Sequence, residues 1–305
     1  MCRIFGFRSA VPSRAHRSLV AAENALATQS IRHPHGWGIG YVKGDDAYVV
    51  KSARSAHDCP RFKSACERLT SHTFVVHVRK ATVGCIDSLN AHPFRFGRWL
   101  FAHNGTIFGF EDRAAHLRDR IDPDLRSHVM GDTDSEHLFF VLLTALRRAG
   151  IDRATHDPKD APVVGQVVRD VLYELDAEAR VQQLDRPILN VLLTDGRTFV
   201  AHRAGMPMFL STQKRHCPDA DTCPAANKVC LLARRPVDQS VNHLIVASEP
   251  IGAENLWEEV PDGTTVVCDE RFALTMQGAP RGWVAPVLPE HARSDGLFRA
   301  ATSAK

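Results

Sequence analysis

The sequence predicts an α+β domain built from layered, largely antiparallel sheets. Two observations carry that prediction. Short runs rich in apolar and β-branched residues recur from the N-terminus to about residue 276, with helix-compatible stretches between them. Strands and helices also come in blocks, without the strict alternation that builds a parallel sheet. The chain has 305 residues, 44% of them hydrophobic and 24% charged, so it is long enough to bury a full core.

The elements follow in order. Cys2 to Phe7 is a strand. Pro12 and Ser13 precede a helix-compatible run from Ser18 to Gln29, which His33-Pro34-His35-Gly36 breaks. Gly36 to Val42 is a glycine-rich strand, where glycine marks close approach of backbone. A turn at Lys43-Gly44-Asp45-Asp46 leads into a second strand, Ala47 to Lys51, which makes a hairpin. Cys59 to Leu69 is a short helix and Thr73 to Val78 a strand. Arg79 to Pro93 is loop, and Trp99 to His103 is a strand stopped by Asn104-Gly105. Helices are predicted at Glu111 to Leu117, from Gly131-Asp132-Thr133-Asp134-Ser135-Glu136 through the apolar run Leu138 to Leu146, and at Ala161 to Ala179. Strands follow at Ile188 to Leu193, Thr198 to His202, His243 to Ala247, Thr264 to Cys268 and Phe272 to Met276. One domain over 1–290 is expected, with a strand-rich completion at 185–280 and a Cys-rich insert at 212–232. A flexible tail over 291–305 follows.

A net charge of +3 is small for this length and gives no reason to expect nucleic acid or a membrane surface as partner. No apolar run suits a signal peptide or a membrane span, so a cytoplasmic protein is expected. The eight cysteines then stay reduced, and serve packing, metal binding or catalysis instead of a disulfide framework.

The cysteine directly behind the initiator methionine has unusual chemistry open to it. Methionine is commonly trimmed when the next residue is small. Cys2 would then carry a thiol and a free α-amine on one residue. The thiolate is the nucleophile, and an α-amine with a reference pKa of about 7.7–8.0 is a suitable proton acceptor. The plain alternative is a small buried residue at the start of a strand. Elsewhere, Asn104-Gly105 reads as an oxyanion hole or as an ordinary turn. Arg79, at a strand end, reads as a carboxylate clamp or as a surface arginine. Asp134 reads as an acceptor for a substrate ammonium or as a helix cap.

Taken together these residues resemble a family. Cys2, Gly36-Trp37-Gly38-Ile39-Gly40, His77-Val78-Arg79-Lys80-Ala81-Thr82-Val83-Gly84, Asn90-Ala91-His92-Pro93-Phe94, His103-Asn104-Gly105 and Gly131-Asp132-Thr133-Asp134-Ser135-Glu136 occur in this order across the first half of the chain. The pattern resembles the class II glutamine amidotransferases, which are N-terminal-nucleophile hydrolases. It is most similar to the stand-alone group with the γ-glutamyl hydrolase of ergothioneine synthesis and the amidotransferase subunit of a glutathione-degrading complex. The resemblance implies a four-layer αββα sandwich. It implies Cys2 as nucleophile with its own amine as base, and Asn104 with the Gly105 N–H as oxyanion hole. Arg79 would hold the α-carboxylate of a γ-glutamyl group and Asp134 its α-ammonium. Thr82 and the backbone near Val83 would line the pocket, and His92 would support its loop. Lys80 and Val83 depart from the aromatic residue and the histidine of many synthase-linked relatives, so side-chain roles there do not carry over.

The expected substrate is therefore glutamine or another small γ-glutamyl compound, cleaved through a Cys2 thioester with release of glutamate. Two alternatives stand beside it: a glutaminase subunit that delivers ammonia to a separate partner, and a non-catalytic γ-glutamyl sensor. No phosphate-binding loop or nucleotide fingerprint is present, and no cofactor is required. His216, Cys217, Cys223 and Cys230 supply four zinc-type ligands in a polar insert. Their spacing fits no standard zinc pattern, so a structural zinc and a plain reduced loop both remain open. Ser248-Glu249-Pro250 also resembles a segment near the end of this group's domain, with no role attached.

Overall fold

The computed structural model describes residues 2–151, 159–214, 243–287 and 289. Two antiparallel sheets lie face to face. The first has seven strands: β1 (Arg3–Ser13), β2 (Trp37–Lys43), β3 (Asp46–Ser52), β4 (Ser71–Val78), β9 (Phe209–Lys214), β10 (His243–Ala247) and β11 (Asn255–Glu259). Their order is β11-β9-β10-β1-β4-β2-β3. The second has six: β5 (Phe94–Phe96), β6 (Trp99–Thr106), β7 (Ile188–Thr194), β8 (Phe199–His202), β12 (Thr265–Cys268) and β13 (Leu274–Gln277), in the order β13-β12-β8-β7-β6-β5.

Three apolar layers follow from the period-two alternation of these strands. Ile4, Val75, Leu100, Ala102, Leu192, Phe199 and Val246 fill the space between the sheets. Phe5, Phe7, Phe74, Val76 and Val78, the opposite set from β1 and β4, pack against α1 (Leu26–Gln29), α2 (Pro60–Arg68) and a π-helical turn at Arg17–Ala21. Phe101 of β6 and Leu189, Val191 and Leu193 of β7 pack outward. They meet α3 (Phe110–Asp119), α4 (Pro123–Arg126), α5 (Asp134–Arg148) and α6 (Asp160–Val181). The result is the αββα sandwich that the resemblance implied.

Two expectations need correction. The run from Ser18 to Gln29 is not one helix. It breaks after Ala21 because Asn24 turns to the segment after β10: its N–H donates to the Ile251 carbonyl at 3.2 Å and its Nδ2 to the Pro250 carbonyl at 2.8 Å. Nor do Asn104 and Gly105 stop a strand. They lie inside β6, opposite Asn190 and Leu189 of β7, so the turn reading fails. Strands β5, β9 and β11 and helix α4 were not anticipated. They are short, or carry polar residues that blur the alternation. His216, Cys217, Cys223 and Cys230, and the tail from 291, lie outside the described residues. Among the described residues no helix is long and apolar enough to cross a membrane. Among them, too, no three His, Cys, Asp or Glu side chains gather as a metal site would require.

Candidate active site

The inter-sheet layer changes character at one end. Deep inside it is apolar, but where β1 begins it is lined by Cys2, His77, Arg79, Asn104 and Ser248. The strand pattern dictates this: Ile4 and Gly6 of β1 face the second sheet, and Cys2 continues that parity. Arg3 pairs with Val78, which brings Cys2 beside the chain leaving β4. The Lys80 N–H donates to Cys2 Sγ at 3.2 Å, and the thiol reaches the Lys80 carbonyl at 3.3 Å. Burial pushes the Cys2 thiol pKa up. The bond from Lys80 and the positive charges of Arg79 and Arg3 oppose that rise.

Asn104 faces Cys2's strand from the other sheet. It is fully buried, and its Nδ2 donates to Ser248 Oγ at 3.2 Å. That hydroxyl also accepts the Ile4 N–H at 3.0 Å, so one serine ties Asn104 to the second residue after the thiol. Asn104 Oδ1 is buried and meets no hydrogen-bond donor among the described residues. Gly105 is imposed by packing: a Cβ there would lie 1.8 Å from the Ile188 carbonyl oxygen and 2.2 Å from His103 Nε2.

Arg79 is buried, and its guanidinium holds the next loop by its carbonyls. It donates to Cys85 at 2.7 Å and to Val83 at 2.8 Å, leaving Nε–H outside those bonds. It is therefore no surface arginine. Val83 contributes its carbonyl to this clasp, and its side chain packs on the outer core of the second sheet. Thr82 is exposed, with its hydroxyl 3.2 Å from that of Thr106 at the end of β6. Asp134 is buried at the first position of α5. One of its oxygens accepts the Ile107 N–H at 2.7 Å, the other the Ser135 N–H at 2.8 Å. The helix cap is Thr133, whose hydroxyl accepts the Glu136 N–H at 3.2 Å. Asn90 and Asp132 exchange hydrogen bonds and close the 79–93 loop against the start of α5.

His92 does not reach the thiol through any hydrogen bond. Its ring lies tilted against His77, centroids 4.2 Å apart, and edge-on to Phe94 at 4.7 Å, and neither of its nitrogens has a partner among the described residues. Its backbone explains the glycine run of β2: a Cβ on Gly38 would lie 2.1 Å from the His92 carbonyl oxygen. His92 thus supports its loop by packing. Sequence reasoning passed over Arg3 and Asn24 and gave Ser248-Glu249-Pro250 no role, yet Ser248 and Glu249 bond to the strand behind Cys2 and Asn24 bonds to Glu249. Their pairings span more than two hundred residues, and no local pattern signals them.

Several buried histidines stay neutral. Burial, helped by the Arg3 charge, lowers the His33 pKa to about 3. Burial, with Arg169 nearby, lowers that of His202 to about 3 as well. His77 and His92 are pushed down in the same direction, by burial first. In the unfolded chain each would take up a proton near pH 6.5. Stability should therefore be complete above about pH 6.5 and fall as the pH drops from there towards 3. Within that window each such histidine costs a little over 1 kcal/mol per pH unit. Urea unfolding between pH 7.5 and 5 measures this, and a flat profile would contradict it.

Comparison with known proteins agrees with this architecture. The family model of class II glutamine amidotransferases matches residues 1–282. A probable glutamine amidotransferase of Saccharomyces cerevisiae, DUG3, is 25% identical over the whole of this chain and 90% of its own length. The γ-glutamyl-hercynylcysteine sulfoxide hydrolase of Mycobacterium tuberculosis is 38% identical over 73 residues, which are 24% of this chain and 31% of that protein. Among solved structures, a class II domain protein from Silicibacter pomeroyi superposes with a TM-score of 0.60 at 18% identity, covering 92% of this chain and all of its own. A predicted glutamine amidotransferase from Pseudomonas aeruginosa does so with a TM-score of 0.54 at 21% identity, over 88% of this chain and 98% of its own. With the family model spanning nearly the whole chain, and the same sandwich in those structures, this protein belongs to the class II glutamine amidotransferases.

Proposed function

We propose that the protein is an amidohydrolase that cleaves the γ-glutamyl amide bond of glutamine or a related small compound, with Cys2 as nucleophile. The observation that carries this reading is the placement of the Cys2 thiol at the polar end of the inter-sheet layer. It is bonded to the Lys80 amide, with Asn104 tied to the same strand through Ser248. The γ-glutamyl substrate named for the mycobacterial relative supports the substrate class.

The α-amine of a Cys2 freed from Met1 takes the thiol proton, and Sγ attacks the γ-carbonyl carbon. Asn104 Nδ2 and the Gly105 N–H stabilise the oxyanion. The amine leaves with the proton, and a γ-glutamyl thioester forms. Water gives up a proton to the freed α-amine and attacks the thioester, which releases glutamate, and that proton passes to the departing sulfur. Arg79 and Asp134 are assigned to the α-carboxylate and α-ammonium. Selectivity arises because analogues lacking either group would leave a buried charge unpaired. Thr82 and the backbone near Val83 are assigned to the lining of the same pocket.

The test is glutamate release from glutamine, γ-glutamyl peptides and γ-glutamyl thioethers, with intact mass recorded on the active protein. Release from at least one compound by protein lacking Met1 is expected. Active protein that retains Met1, or no release from any of them, would contradict the reading. Asn104→Ala should lower kcat by about 10²- to 10³-fold, the cost of one oxyanion donor. Steady-state kinetics on the best of these substrates checks it.

A further inference from the structure

Of the Ser248-Glu249-Pro250 segment directly after β10, the mechanism above uses only Ser248, yet the whole segment is fastened to the nucleophile's end of the chain at several points. The Ser248 N–H donates to the Ile4 carbonyl at 3.1 Å, and Ser248 Oγ accepts from the Ile4 N–H at 3.0 Å. Glu249 Oε1 accepts from Arg3 through Nε at 2.7 Å and also through Nη2. Glu249 Oε2 accepts from Asn24 Nδ2 at 3.3 Å, and Asn24 also donates to the Pro250 carbonyl. Arg3 turns its remaining terminal nitrogen back along its own strand: Nη1 donates to the Cys2 carbonyl at 3.0 Å.

We infer that Arg3 and Glu249 form a positioning lock for Cys2: the Glu249 carboxylate holds the Arg3 guanidinium against the Cys2 carbonyl and so fixes where that residue's α-amine points. The geometry is that of a tetrahedral carbon. Three heavy-atom groups leave the Cα of Cys2. The Lys80 bonds pin the sulfur branch and Arg3 pins the carbonyl branch, so the amine keeps one direction relative to Sγ. A chain terminus ordinarily frays, and proton transfer from thiol to amine tolerates little drift. Arg3 suits the task because its planar fork serves an anion and a carbonyl at once, which the single ammonium of lysine cannot. The lock also sets charge, since Glu249 pairs with a guanidinium whose positive charge acts on the thiol. Arg79, His33, His77, Asn104, Ser248 and the Lys80 amide are other polar groups facing this corner.

This inference rests on Cys2 being the nucleophile, so its test includes a readout independent of turnover. Full-length protein lacking Met1 is compared with Glu249→Gln and Arg3→Lys. Steady-state kinetics are measured on L-glutamine or on whichever γ-glutamyl compound wild type cleaves. Cys2 alkylation by iodoacetamide is followed against pH by peptide mass mapping. For Glu249→Gln, kcat should fall about tenfold while KM changes less than about twofold. With Arg3 left unneutralised, the alkylation midpoint should move to lower pH by about half a unit. Arg3→Lys keeps the charge pair and loses the fork, so kcat should fall with the midpoint unmoved. Wild-type kcat and an unchanged midpoint in Glu249→Gln overturn the lock. So does a loss of kcat that only tracks a loss of melting temperature with no shift in midpoint. If Glu249→Gln does not fold, Arg3→Lys decides alone, and wild-type kcat there overturns the lock. Absence of glutamate release from wild type overturns the proposed function instead, and leaves the alkylation profiles to judge Arg3 and Glu249.

Discussion

Replacing Cys2 with alanine is expected to lower glutamate release by about four orders of magnitude or more, the scale seen when a covalent nucleophile is removed. The fold should survive. The residue precedes β1 and retains partial exposure, and its sulfur makes hydrogen bonds only with the Lys80 backbone. Melting temperature should therefore move by no more than a few degrees. The size of the catalytic effect follows from the surroundings of the sulfur. Burial raises the thiol pKa, so the resting group is a thiol and needs a base. Among the described residues no histidine is hydrogen-bonded to it, and burial lowers the pKa values of the buried imidazoles His33 and His77. On the proposed mechanism the α-amine is that base. Cys2→Ser separates the two requirements: it keeps the amine but supplies a poorer nucleophile. Glutamate release by Cys2→Ala within tenfold of wild type would remove Cys2 from the mechanism.

Replacing Gly105 with alanine is expected to cost upward of about 3 kcal/mol, enough to leave much of the protein unfolded at moderate temperature. The added Cβ would meet the Ile188 carbonyl and the His103 ring at distances far inside van der Waals contact. Neither neighbour is free to move. The Ile188 carbonyl accepts from His103 Nε2 at 2.8 Å, and His103 Nδ1 is 2.9 Å from Ser135 Oγ at the start of α5. The strain therefore passes from β6 into both β7 and α5. Thermal unfolding followed by circular dichroism measures this. A melting temperature within about 3 °C of wild type would show that the β6–β7 ladder can spread, and would contradict the expected strain.

The parts of the fold that could be read from sequence share a physical origin. Strands such as Thr73 to Val78 and Ile188 to Leu193 are buried on both faces, so they appear as continuous apolar runs. The helix beginning at Asp134 is announced by Thr133 and Glu136, which act within four residues of one another. What escaped was decided at a distance. The chain at Ser18 to Gln29 carries a helical pattern, but Asn24 satisfies its donors on Pro250 and Ile251 and the helix breaks. Asn104-Gly105 has the composition of a turn, yet tertiary pairing with Asn190 and Leu189 holds it extended. The site divides along the same line. Cys2, Arg79, Asn104 and Asp134 sit in recognisable local motifs. Ser248, Glu249 and Asn24 have meaning only once β10 lies beside β1.

That pairing has a consequence for synthesis. β1, which Cys2 leads into, is made well before one of its two neighbours, β10, more than two hundred residues later in the chain, with Phe5 opposite Ala247. Until residues 243–249 emerge, one side of β1 has no partner and Asn104 has no serine to reach. A nascent chain of two hundred residues would already hold Cys2, Arg79, Asn104 and Asp134, yet could not assemble them. On the proposed mechanism, hydrolysis would be withheld until β10 arrives, and the order of translation would work as a safety catch.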